Sequence, residues 1–132
     1  MHYVTMASII VLSFGLTASI CFAKSPSLIG SWHGGGIVQP KSGEKEKTRC
    51  RATIEKAPAR GQYQAKYRCS SPYGIVEQDI TLNKTGNNRY KGAFHNPRHK
   101  LGGFISIILQ GNNQTVKMNS PDGEGWFDLQ RR

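Results

Sequence analysis

The residues able to do chemistry in this chain are few. Beyond residue 23 its histidines are His33, His95 and His99, and no Ser-His-Asp or Cys-His arrangement can be assembled around them, because the two remaining thiols, Cys50 and Cys69, are expected to be spent on each other. His95 and His99 are close enough to share a loop with a metal, but no carboxylate or thiol joins them at ligand spacing, so they read as polar loop residues. Glu77 and Asp79 lie two apart, the spacing that puts a carboxylate pair on one face of a strand. Such a pair can do acid and base work, yet it is more simply a solvated face. Gly34-Gly35-Gly36 lacks the strand-turn-helix setting of a phosphate loop. It reads instead as a strand that bends or packs closely under another, with Gly34 and Gly36 structural. These residues predict no catalytic site, no metal and no cofactor, hence a protein that is not an enzyme.

The cations say more. The chain has 132 residues and carries 18 Lys plus Arg against 8 Asp plus Glu, a net charge of +10. Lys47, Arg49, Arg51, Lys66 and Arg68 recur at every second position in two stretches, so that in a strand they share a face and form a field for phosphate, carboxylate or sulfate. A second basic stretch spans Asn96, Pro97, Arg98, His99 and Lys100. Nucleic acid is the partner such charge first suggests. The aromatic residues are expected on the opposite face rather than interleaved with the cations, and export removes the opportunity, so nucleic acid is not the expected partner.

Export is read from residues 1–23, which contain no Asp, Glu, Lys or Arg and hold an apolar run from Ala7 to Phe22. The run is short and interrupted by Ser8, Ser13 and Thr17, which suits a signal peptide better than a span, and Cys21-Phe22-Ala23 sets small residues for cleavage before Lys24. Two alternatives compete: acylation at Cys21, where Ile20 occupies a position that wants a small residue, and a retained membrane anchor. The expected mature chain, 24–132, is one domain with no transmembrane span after cleavage, periplasmic or secreted and monomeric. In an oxidising compartment Cys50 and Cys69 should pair.

Gly, Pro and Asn break the mature chain seven times, delimiting eight predicted strands near 29–39, 45–56, 62–70, 75–82, 89–95, 103–110, 115–120 and 125–130. The second and third fix their own register. If Cys50 faces Cys69, then Ala52 faces Tyr67, Ile54 faces Ala65 and Arg51 faces Arg68, so crosslink and alternation agree. The inward track then runs through Trp32, Gly34, Gly36 and Val38, and later through Ile80, Leu82, Tyr90, Phe94, Ile105, Ile107, Leu109, Val116, Met118, Phe127 and Leu129. Short connections imply antiparallel neighbours, and closure hides one apolar face per strand while removing both edges. The predicted fold is all-β: a small up-and-down antiparallel β-barrel of about eight strands with one disulfide. Its outward cations exclude a lipid-facing barrel. In a barrel this narrow Trp32, Tyr63, Tyr67, Tyr90 and Phe94 are bulky enough to fill the interior, so a ligand cavity is left open but is not predicted.

Two resemblances follow from these residues. Gly30-Ser31-Trp32 at the start of the first strand resembles the Gly-x-Trp signature of the calycin group, which includes lipocalins, avidins and small periplasmic inhibitors of bacterial metalloproteases. That resemblance implies a tryptophan closing one barrel end under a basic side chain from the last strand, here Trp32 with Arg131 or Arg132, and in an inhibitor an inserting segment at 24–28. The chain is also similar to small exported alphaproteobacterial proteins of unknown function through Gly30 to Gly36, Thr48-Arg49-Cys50-Arg51-Ala52, Tyr67 to Cys69, and Arg89 to Asn96. The expected function is a non-enzymatic exported binding or interaction module whose basic face meets an acidic envelope component or protein. A calycin-type periplasmic protease inhibitor is the alternative.

Overall fold

The computed structural model describes residues 15–17, 27–96 and 101–132. Most of the expected signal peptide, residues 1–14 and 18–23, and residues 97–100 of the second basic stretch lie outside these described residues. Among the described residues the chain forms eight strands: β1 (Gly30–Pro40), β2 (Glu46–Lys56), β3 (Gln62–Ser71), β4 (Gly74–Gly86), β5 (Arg89–Asn96), β6 (Leu101–Gln110), β7 (Asn113–Ser120) and β8 (Gly123–Arg131). Each pairs antiparallel with the next, and β1 pairs with β8, closing the barrel. The predicted architecture is the one observed.

Alternation drives the fold. On β2, Thr48, Cys50, Ala52 and Ile54 are buried while Arg49, Arg51 and Thr53 between them are exposed, and β3 and β8 repeat the pattern. The β2–β3 register is the one the cysteines dictate: Cys50 opposite Cys69, Arg51 opposite Arg68, Ala52 opposite Tyr67 and Ile54 opposite Ala65. The disulfide is formed, with Cα atoms 4.1 Å apart. Strand β4 departs most from expectation, running on to Gly86 with a register shift against β5 between Lys84 and Gly86. A bulge of this kind bends and twists a strand, and it breaks the alternation by which the strand's end would be read.

Gly34 and Gly36 have a steric role. A Cβ on Gly34 would sit 2.0 Å from the Asp128 carbonyl oxygen, and one on Gly36 would sit 1.8 Å from that of Trp126. The β1 backbone presses against β8 at the closing seam, where no side chain fits between them.

The interior has two unlike halves. Around the start of β1, Leu28, Trp32, Ile54, Leu82, Leu109 and Leu129 are buried to 1% exposure or less and pack that end solid. Tyr63 and Tyr90 meet edge to face there, ring centroids 5.4 Å apart. Toward the end of β1 the inward residues shrink to Gly36, Val38, Cys69, Val76 and Gly125, and Val38, Phe94 and Met118 are only partly buried. The inward face is also less uniformly apolar than predicted, since Thr48, Gln78 and Gln114 are buried among the hydrophobic residues.

Candidate functional site

The cations of β2 and β3 are positioned by the disulfide. Because Cys50 and Cys69 point inward as a facing pair, their neighbours Arg49, Arg51 and Arg68 must point outward, and Arg51 and Arg68 must face each other. On the other side Arg51 faces His33 of β1. A recess in the outer wall is lined by His33, Arg49, Arg51, Arg68 and Arg132, with Gly34, Ser70 and Ile75. Arg132 reaches this place because its backbone N–H donates to the Ser31 carbonyl at 2.9 Å, fastening the C-terminus to β1.

Of the five predicted cations, three line this recess. Lys47 borders an adjacent groove floored by Gly34, Gly35 and Gly36. Lys66 faces Asp79 across β4 and does not join the recess. The Glu77 and Asp79 pair is thereby explained as the acidic strand beside the cations: Glu77 meets Arg68 at 3.5 Å, with both side chains at least 60% exposed. At that exposure the pair contributes well under about 1 kcal/mol and neutralises little of the field. It is the one ion pair among the described residues. Sequence reading missed His33 and Arg132 as members of the site. His33 was legible in principle, since carrying the β1–β2 register outward from Trp32 and Ala52 sets it against Arg51.

Aromatic placement also differs from expectation. Phe104 and Trp126 are exposed on the outside, and one row of the wall runs Lys47, Ile37, Trp126, Lys117 across β2, β1, β8 and β7. Cations and apolar side chains therefore do interleave on that side, because β8 carries both its large rings in succession, Trp126 outward and Phe127 inward.

The solid end is closed as the calycin resemblance implies. The Arg131 guanidinium lies 4.3 Å from the Trp32 ring centroid. It donates to the Ile29 carbonyl at 2.7 Å, to the Ser27 carbonyl and to Asn112 Oδ1 at 3.3 Å, while Trp32 Nε1 donates to the Leu28 carbonyl at 3.0 Å. Arg131 takes the basic role; Arg132 serves the outer recess. Arg131→Ala is expected to cost about 2 kcal/mol, the sum of a stacked cation and its hydrogen bonds, which lowers the melting temperature by roughly 10 °C. A melt that does not shift would show that the end closes without it.

The other end is open, so the five bulky aromatic residues do not fill the barrel and the cavity that was left open by the sequence is present. A cavity of about 440 Å³ enters between the strand ends and descends to Tyr67, Gln78 and Phe127, walled by Val38, Phe94 and Met118. The aromatic residues bulky enough to fill the barrel stand mostly in its solid half. Tyr67 forms the cavity floor, 2% exposed, its hydroxyl donating to Gln114 Oε1 at 2.9 Å. Burial pushes the Tyr67 phenol far above its ordinary value, and desolvation, then the neighbouring Tyr63, raises Tyr90. Both phenols therefore stay neutral in the fold at pH values where the unfolded chain ionises them. Their contribution to stability is complete below about pH 10 and falls as pH rises beyond it. Denaturant unfolding should show that alkaline loss shrinking in Tyr67→Phe; an equal loss in the variant would place its origin elsewhere.

Among the described residues no group of three or more His, Cys, Asp or Glu side chains is placed to hold a metal, and no helix is long and apolar enough to cross a membrane. No family model and no curated protein matches the chain. In structure it is similar to a de novo designed fluorescence-activating β-barrel, with a TM-score of 0.59 and 12% identity over 79% of this chain and 93% of that one. It is likewise similar to a redesigned β-barrel, mFAP1, bound to DFHBI, with a TM-score of 0.63 and 10% identity over 80% of this chain and 94% of that one. These likenesses concern the fold alone: a small, closed, antiparallel β-barrel.

Proposed function

We propose that the chain is a non-enzymatic exported binding protein that engages an acidic envelope component through the outer recess on β1, β2 and β3. The observation that carries this reading is the convergence of His33, Arg49, Arg51, Arg68 and Arg132 on one recess with, among the described residues, a single acidic partner, Glu77. Placing Arg51 directly opposite Arg68 costs stability, since like charges opposite one another on adjacent strands repel. A phosphate or sulfate in the recess reverses that sign, and guanidinium forks suit such groups because they offer paired donors. Phosphates of lipopolysaccharide, acidic polysaccharide and an acidic protein surface all present this chemistry. The disulfide supports a periplasmic or secreted location. The protein acts as a monomer without a cofactor, and export keeps it from nucleic acid.

The protease-inhibitor alternative needs an N-terminal segment free to insert. Leu28, the last residue of that segment, is fully buried and its carbonyl accepts from Trp32 Nε1, so this part belongs to the barrel's own core. Residues 24–26 lie outside the described residues. Vesicles containing phosphatidic acid, whose phosphate is net anionic, compared with vesicles of net-neutral, zwitterionic phosphatidylcholine, test the leading reading: binding to the anionic vesicles alone supports it, and equal binding to both, or to neither, contradicts it.

A further inference from the structure

The basic recess does not end at its own wall. It shares Gly34, Arg49 and Ser70 with the groove beside it, so the two form one continuous furrow over the outer face of β1, β2 and β3. Gly35 is the outward residue between His33 and Ile37, and with no side chain there the cations of β2 stand along an open floor. Lys47, Arg49 and Arg51 are exposed in single file on β2. Outward positions on a strand recur about every 7 Å, so the file runs for about 13 Å. Arg51 lies at the recess end, with His33 and Arg68 on either side, and Lys47 lies at the groove end opposite Ile37. Carboxylates stay at the margins. Glu77 meets Arg68, and Asp128, across the β1–β8 ladder from Gly35, accepts from Thr115 Oγ1 at 3.2 Å; neither lines the furrow.

This shape selects among anionic partners. The recess holds about 480 Å³ and the groove about 700 Å³. A single phosphate or sulfate group fills little of that, given that one water takes about 30 Å³. A bilayer is a plane, which meets the crests of a barrel wall and not a depression lined with charge. Single-stranded nucleic acid is held by stacking its bases on aromatic rings, and among the described residues no Phe, Tyr or Trp lines the furrow. An extended peptide is held by adding a strand to a free sheet edge, and the closed barrel offers no such edge. A chain of sugar rings needs neither device: its acidic groups recur along the file, its hydroxyls meet Ser70, and its apolar ring faces meet Ile37 and Pro72 in the groove. We propose that the furrow holds a linear acidic glycan laid along β2, with successive anionic groups on Arg51, Arg49 and Lys47. This rests on the reading that the recess takes anions, and adds that the partner is a polymer spanning recess and groove together.

Hexagalacturonate, which carries a carboxylate on every ring, is the probe, with monomeric galacturonate and uncharged maltohexaose beside it. By calorimetry at low ionic strength the oxidised protein should bind the acidic hexamer at least about tenfold more tightly than the monomer, because linked groups associate as one molecule. Maltohexaose should not bind. Lys47→Gln removes the cation beyond the recess, so it should weaken the hexamer about three- to tenfold and leave the monomer unchanged. Gly35→Leu puts a side chain into the furrow and should weaken the hexamer by about tenfold with the same selectivity. Its Cβ meets the Thr48 carbonyl oxygen at 3.0 Å, so its melt is read alongside, and Lys47→Gln decides the matter if that variant does not fold. Equal affinity for monomer and hexamer, maltohexaose binding as tightly as the acidic hexamer, or a hexamer indifferent to Lys47→Gln would each overturn the proposal. Phosphatidic acid vesicles that bind but are not displaced by hexagalacturonate would overturn it too, making a bilayer the occupant while the recess keeps its anions. Binding of neither vesicles nor hexagalacturonate would remove the anion site itself, so failure of the polymer and failure of the recess are read apart.

Discussion

Arg49→Glu combined with Arg51→Glu should reduce binding to anionic vesicles by about a hundredfold or more, at about 1 kcal/mol per basic residue brought to such a surface and twice that for each reversal. The fold should survive, and its melting temperature should hold or rise. That second half follows from register: a glutamate at position 51 would face Arg68, turning a like-charge contact into an opposite one. The pairing of lost binding with retained or improved stability is what separates a binding face from a structural one. Binding that survives the double reversal would remove these arginines from the site.

Cys50→Ala, or reduction of the parent protein, should lower stability by about 3 kcal/mol, because the crosslink restrains a loop of about 20 residues in the unfolded chain. For a domain of this size that lowers the melting temperature by roughly 10–20 °C. The disulfide joins residues already in register near the end of the β2–β3 ladder away from its turn, so its loss leaves the native pairing intact while loosening the strands that carry Arg49, Arg51 and Arg68. Paired thermal melts with and without reductant read the effect, and coincident melts would show that the crosslink adds nothing to the fold.

What was legible in the sequence was whatever a local pattern determines. The β2–β3 register could be read because two constraints of different kind, a crosslink and apolar alternation, agreed on one pairing. Closure could be read because every strand carried an inward apolar track, and Trp32 with a late arginine could be read from one short motif. The open cavity could not be read by naming the large aromatic residues, because volume depends on which end of the barrel each one occupies. Sorting the inward residues by end would have found it: Leu28, Trp32 and Ile54 lie at one end, while Gly36, Val38, Val76 and Gly125 lie at the other. Gln78 falls on the inward track of Val76, Ile80 and Leu82, but glutamine is ordinarily a surface residue and so gives no signal of a buried role. His33 and Arg132 escaped because their membership depends on pairings between β1 and its neighbours, which no crosslink announces. Strand β4 outran its predicted end because a bulge interrupts the alternation on which such ends are judged.

The central claim is that an outer cationic recess recognises an anionic partner by charge. A salt titration of vesicle binding tests it most directly. With oxidised protein and vesicles containing net-anionic phosphatidic acid, affinity should fall steeply as ionic strength rises and the screening length contracts from about 30 Å at 0.01 M to about 8 Å at 0.15 M. Neutral vesicles should show no binding at any salt concentration. Affinity that stays level across that range would contradict the account, since contacts made by apolar burial do not weaken as charges are screened.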